Sequence, residues 1–129
     1  MRFVCLGYFD EKKFEKVPEN ERNKLFDECF AYDDLLRSQG HFVGGPALQS
    51  PNTAKTLRRK NGKISVTDGP YAETKEQIGG VLVLEARDID HAVELMSNHP
   101  GAKITTFEIR PEADMSTLAK ESAKRRGKG

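Results

Sequence analysis

The chain has no tryptophan, only two cysteines in 129 residues, and no apolar run approaching the roughly 18 residues that a membrane span needs. Cys5 and Cys29 show no C-x-x-C or other paired spacing, which excludes a disulfide framework. Both fall in apolar patterns, where buried free thiols are expected. The stretch from Met1 to Asp10 meets charge too soon for a secretory leader. A reducing, cytoplasmic setting is therefore expected, with no membrane partner. An excess of one charge is also missing. Lysine and arginine number 21 against 20 aspartates and glutamates, a net of +1. That balance gives no reason to expect nucleic acid. The one local bias is at the end, where Lys120, Lys124, Arg125, Arg126 and Lys128 face only Glu121. The preceding 119 residues are thus net acidic and carry no basic stripe with interleaved aromatics.

Chemical motifs are equally sparse. His41, His91, His99 and the two cysteines have no metal-ligand spacing, so no metal site is expected. There is no phosphate-binding loop and no dinucleotide fingerprint. Gly79-Gly80 precedes a strand, whereas such motifs open a helix. No cofactor is expected.

What is present is a regular alternation of patterns in a chain long enough for one domain. Residues 2–9 read as a strand apolar on both faces, Phe3, Cys5, Gly7 and Phe9 against Val4, Leu6 and Tyr8. Residues 10–17 read as a charged loop. From Pro18 to Gln39 the apolar residues Leu25, Phe26, Cys29, Phe30 and Leu36 form one helical stripe, closed by Gly40. His41-Phe42-Val43 is a short apolar piece before the break at Gly44-Gly45-Pro46. Asn61-Gly62 marks a hairpin over residues 53–68, with Leu57, Ile64 and Val66 on one face and Thr56, Arg58, Ser65 and Thr67 on the other. A doubly apolar strand follows at 81–84. Asp88 caps a second helix over 89–98, which Pro100-Gly101 ends. A last strand covers 103–110.

The order β-α-β(hairpin)-β-α-β implies an α+β fold, a ferredoxin-like two-layer sandwich with both helices on one sheet face. The opposite face would then be too apolar for water. The same face of a second copy is the simplest cover, giving a homodimer.

The densest cluster of chemistry-bearing side chains is Asp68-Gly69-Pro70-Tyr71-Ala72-Glu73-Thr74-Lys75-Glu76. A turn needs Asp, Gly and Pro, but not the charges that follow. In the structural reading Asp68 makes an Asx turn, and Glu73, Lys75 and Glu76 are solvated or paired across a dimer seam. In the functional reading, clustered carboxylates make a general base. Tyr71 lines the site, Arg58 clamps an anion where the structural reading gives a cross-strand or cross-subunit salt bridge, and His41 is a general base where the structural reading gives a capping, partly buried histidine. The candidate ligand-binding set is therefore His41, Arg58, Asp68, Tyr71, Glu73, Lys75 and Glu76, in a cleft between the sheet and the 68–76 loop. His91 and His99 read as exposed residues at the ends of the second helix.

Residues 68–80 resemble the signature of the DGPF (DGPFAETKE) group of the YCII-related family. Residues 40–49, 85–88 and 107–111 match it as well. The resemblance covers residues 1–112 as one domain and leaves 113–129 as a basic, flexible C-terminal tail. It implies a dimeric α+β barrel. It also implies a small-molecule site of isomerase or related proton-transfer type, since the wider family resembles muconolactone-isomerase-type barrels. Some relatives are held to use a His–Asp pair with the histidine near the start of the first helix, but residues 18–25 contain no histidine here. The alternative it implies is a non-catalytic regulatory module associated with extracytoplasmic-function sigma factors.

Overall fold

A computed structural model describes residues 1–128. The elements in chain order are β1 (Arg2–Phe9), α1 (Glu11–Glu15), α2 (Glu19–Ser38), β2 (Phe42–Gly44), β3 (Lys55–Lys60), β4 (Lys63–Asp68), β5 (Gln77–Glu85), α3 (Ile89–Ser97), β6 (Thr106–Pro111) and α4 (Ser116–Arg125). Short 3-10 turns at Pro51–Thr53 and Pro100–Lys103 complete the chain.

The main sheet has the order β2-β5-β1-β6, with every pairing antiparallel. This is the ferredoxin-like order with one hairpin inserted before β5, as the alternation of patterns implies. The hairpin β3–β4 forms its own two-stranded sheet. Its register pairs Lys55 with Asp68, Thr56 with Thr67, Leu57 with Val66 and Arg58 with Ser65, as expected from a two-residue turn at Asn61-Gly62. Asn61 (φ 52°) and Gly62 (φ 76°) supply the two positive φ angles that a type I′ turn requires.

The strand expected at 81–84 starts at Gln77, the one expected at 103–110 starts at Thr106, and two segments expected to be irregular are helical. The charged loop at 10–17 contains helix α1, because the Asp10 carboxylate accepts the Lys13 N–H and caps it. The basic tail carries helix α4, with its apolar residues Met115 and Leu118 exposed.

The core is small. Phe3, Cys5, Leu36, Leu84, Ala86, Ala92 and Met96 are buried between the sheet and helices α2 and α3. Each large apolar side chain fully buried there contributes about 1.5–3 kcal/mol relative to exposure. Strand pairing sets the side chains facing the helices in rows: Phe3 with Leu84, Cys5 with Leu82, and Gly7 with Gly80. The rows shrink from Phe3 to Gly7, where neither strand carries a side chain, and Phe9 opposite Gln77 closes the face beyond it. That end of the layer is filled near Phe3 and hollow near Gly7. A β-bulge between Gly7 and Tyr8 leaves Gly79 unpaired at the same end.

The other sheet face presents Val4, Leu6, Tyr8, Ile78, Val81 and Val83, all half-buried, beside Glu108 and Arg110 of β6. No element of the main two-layer stack covers it as α2 and α3 cover the first face.

Candidate functional site

The hollow above Gly7 and Gly80 opens into a cleft of about 550 Å³ between α2, the sheet and the 45–48 segment. Its walls are largely apolar and include six phenylalanine rings, Phe9, Phe14, Phe26, Phe30, Phe42 and Phe107. Some rings meet edge to face: Phe9 with Phe14 at 5.9 Å, and Phe14 with Phe26 at 5.8 Å between centroids. Glycines at its floor let neighbouring side chains pack directly on the strand backbone. A Cβ on Gly79 would lie 2.0 Å from the Phe9 ring, and one on Gly7 would press on Thr105 and Phe107 at 3.1 and 3.2 Å. A Cβ on Gly80 would meet nothing closer than 3.7 Å.

Polar groups in this apolar wall are few. Asp33 lies on the stripe of α2 that carries Phe26, Cys29 and Phe30, and it faces the cleft. His99 follows α3 and is only 7% exposed. Its Nε2 lies 2.9 Å from Asp33 Oδ1, and its Nδ1 accepts the Gly101 N–H at 3.0 Å. An Nδ1 that accepts a hydrogen bond carries no proton, so the proton sits on Nε2 and is donated to Asp33. The ring is clamped edge to face by Tyr32 at 5.3 Å and by Phe107 at 5.8 Å. Tyr32 is itself fixed, because its hydroxyl donates to the Leu95 carbonyl at 2.5 Å.

Both imidazole nitrogens are therefore occupied by protein groups. His99 orients Asp33, and the carboxylate is the group left free to act. Asp33 Oδ2 takes no hydrogen bond from the described residues, and its side chain retains 21% exposure through the cleft. Cys29 lines the same wall. Its thiol is pushed up first by burial and then by the negative charges of Asp33 and Glu28, with Lys103 opposing. It is a protonated, apolar wall at neutral pH, not a thiolate nucleophile. At the rim, Arg37 lies over the Phe42 ring at 4.5 Å and donates to Asp34 at 2.6 Å.

The residues singled out by sequence lie elsewhere. Arg58 and Tyr71 come together, with the guanidinium 5.2 Å from the ring centroid. Asp68 pairs with Lys55 at 2.6 Å across the hairpin. Glu73, Lys75 and Glu76 are exposed on the loop. Tyr71 and Glu76, with Pro70, Ala72, Thr74 and Gln77, border a second hollow of about 560 Å³. The loop is tied by the Gln77 amide, which donates to the Ala72 and Thr74 carbonyls. His41 belongs to neither group. It sits at the far end of β5, where its Nδ1 meets the Glu85 carbonyl at 2.9 Å and its ring meets His91 at 5.1 Å. The burial that a general base among Asp68, Glu73 and Glu76 requires is absent.

The expectation that His99 is exposed is corrected by its burial. Asp33 was missed although one sign of it was present: a carboxylate spaced three and four residues from Phe30 and Cys29, on the apolar side of the helix. No histidine stands near the start of α2, and the histidine–aspartate contact is made late in that helix by a residue 66 positions away. Among the described residues, no three His, Cys, Asp or Glu side chains gather as a metal centre would require. No helix is long and apolar enough to cross a membrane.

A ferredoxin-like α+β layer with an apolar, carboxylate-bearing cleft is the class the geometry defines. The family model for the YCII-related domain matches residues 1–116, and the chain belongs to that family. It is 29% identical over 115 residues to the uncharacterised protein R00369 of Rhizobium meliloti (strain 1021), covering 88% of this chain and 93% of that one. Among solved structures it resembles 5-chloro-2-hydroxyhydroquinone dehydrochlorinase (TftG) of Burkholderia phenoliruptrix AC1100, determined with 2,5-dihydroxybenzoquinone. The TM-score is 0.52 at 16% identity, over 88% of this chain and 94% of the other. That likeness concerns the fold.

Proposed function

We propose that this protein binds a small, ring-bearing molecule in the helix-side cleft and transfers a proton to or from it through Asp33. The observation that carries the reading is the arrangement of Asp33. One carboxylate oxygen is held by a buried histidine whose tautomer is set, and the other is left to a cleft walled by phenylalanine. A carboxylate within hydrogen-bond reach of a bound ring can take a proton from it as a general base. His99 acts as a positioning residue. The site suits abstraction of a weakly acidic O–H or C–H proton and its return to another atom, the chemistry of an isomerase or a related eliminating enzyme.

The homodimer is part of the same proposal. It is supported by the half-buried apolar face of Val4, Leu6, Val81 and Val83, which a second copy would cover. The sigma-factor association implied by the family resemblance gains no support from the fold or the relatives.

The neighbour's name places its chemistry on a hydroquinone, which guides the choice of substrate for a test. Ring hydrogens of 2-hydroxyhydroquinone exchange with solvent through keto tautomers, so anaerobic exchange in D2O followed by proton NMR reads proton transfer directly. The wild-type protein is expected to accelerate exchange. Asp33→Asn should abolish the acceleration while binding changes less than threefold, because the amide keeps size and an acceptor oxygen. His99→Gln should lower the rate at saturating substrate and leave KM nearly unchanged. Equal acceleration by wild type and Asp33→Asn would overturn the assignment.

A further inference from the structure

Resting on the same reading of the cleft, we infer that its ligand carries a positive charge, as a protonated amine on a ring-bearing body. Three side chains lining the cleft bear full charges: Asp33, Asp34 and Arg37, all from α2. Arg37 is the single cation among them, and it is already taken. Its Nη1 donates to Asp34 Oδ1 at 2.6 Å, and its plane lies over Phe42. His99 brings no charge, since its Nδ1 accepts the Gly101 N–H. Cys29 brings none either, because its thiol is held protonated. The strands and the 45–48 segment contribute apolar side chains and backbone to the lining.

No lining cation is thus left for Asp33, and Lys103, whose charge reaches the same wall at Cys29, is paired with Glu28 at 3.2 Å. A neutral imidazole donates to one oxygen of Asp33 but does not neutralise it. A ligand anion would meet net repulsion here. A ligand ammonium would be drawn by the charge of Asp33, without occupying the oxygen that takes the reacting proton, and by a lining of six aromatic rings. Such rings attract cations through their quadrupoles, most strongly when water is excluded. Two of them already do so: Arg37 stands over Phe42, and the half-buried Arg22 lies 5.9 Å from Phe14.

The test uses three ligands that share a phenol ring and differ in the charge of the side arm: tyramine, 4-ethylphenol and 3-(4-hydroxyphenyl)propanoate. Their dissociation constants are measured by isothermal titration calorimetry at pH 7 and two salt concentrations. Tyramine is expected to bind at least tenfold tighter than 4-ethylphenol, and the propanoate more weakly than either. Asp33→Asn should remove most of the tyramine advantage and leave 4-ethylphenol within threefold. Arg37→Gln, which frees the Asp34 carboxylate, should widen the tyramine advantage and weaken the propanoate further. If 4-ethylphenol binds but tyramine is no tighter, or the propanoate is tightest, the cation assignment fails while the cleft stands. If none of the three binds, the reading of the cleft as a ring-binding site fails with it.

Discussion

Gly7 and Gly80 lie opposite each other across β1 and β5, and neither places a side chain on the helix-facing side of the sheet. The rows on either side carry side chains, Cys5 with Leu82 and Phe3 with Leu84 on one side and Phe9 with Gln77 on the other. The cleft is this missing row. Its floor is backbone, so its volume depends on two residues that bring no chemistry of their own.

The neighbouring glycines should therefore respond differently to substitution. Gly80→Val adds bulk against the 45–48 wall of the cleft, where its Cβ is in ordinary contact with the Pro46 carbonyl oxygen at 3.7 Å and Ala47 Cα at 3.8 Å. It is expected to change stability by less than about 1 kcal/mol, as for a change that neither opens a cavity nor forces a clash, and to weaken ligand binding at least tenfold. Gly79→Ala places a Cβ 2.0 Å from the Phe9 ring. It should destabilise by about 1–3 kcal/mol through overpacking. Urea unfolding and calorimetry on the two variants read both effects.

Stability should fall at high pH. Cys5 is fully buried, and burial pushes its thiol up to about 11. Cys29 and Tyr32 are shifted in the same direction, with burial the leading cause in each. A group whose folded pKa is raised binds its proton more tightly in the native state. Its contribution is complete below the unfolded pKa near 9 and is lost as pH rises toward 11. For Cys5 two pH units correspond to roughly 2–3 kcal/mol. Urea midpoints measured from pH 8 to pH 11 should fall, and Cys5→Ala, less stable at pH 8, should fall less steeply.

Leu82 and Val83 are adjacent and face opposite ways. Leu82 packs against the buried core beside Cys5, whereas Val83 pairs with Val4 on the uncovered face. A buried unpaired charge costs on the order of 3–5 kcal/mol. Leu82→Asp is expected to unfold the protein. Val83→Asp should leave a folded monomer, seen as native circular dichroism with halved mass in light scattering. A wild-type protein that is monomeric at micromolar concentration would remove the dimer from the proposal.

The fold was legible in the sequence because each element announces its own period. The span of α2, the Asn61-Gly62 turn and the Asp88 cap reappear where they were expected, but of the α2 stripe only Leu36 is buried, while Phe26 and Phe30 are exposed at the cleft. The site was not legible, because its parts are brought together only by topology. Asp33 and His99 are far apart in the chain and are joined by the packing of α2 beside the Pro100–Lys103 turn. The signature loop drew attention through local charge density, yet Asp68 is a surface residue paired with Lys55. Such a pair is worth about 1 kcal/mol at most. Gly69, at φ 101°, meets the backbone demand of that turn. Asp68→Asn should accordingly be close to neutral in urea unfolding, and Gly69→Val clearly destabilising.

The most direct test of the cleft as the functional site is a titration of the ¹⁵N-labelled protein with 4-ethylphenol, followed by amide chemical shifts. The perturbations are expected at Cys29, Asp33, Gly80 and Gly101, which surround the cleft floor and the Asp33–His99 contact. Saturating shifts confined to Thr53, Tyr71 and Thr74 would place binding at the signature loop instead and contradict the assignment of Asp33.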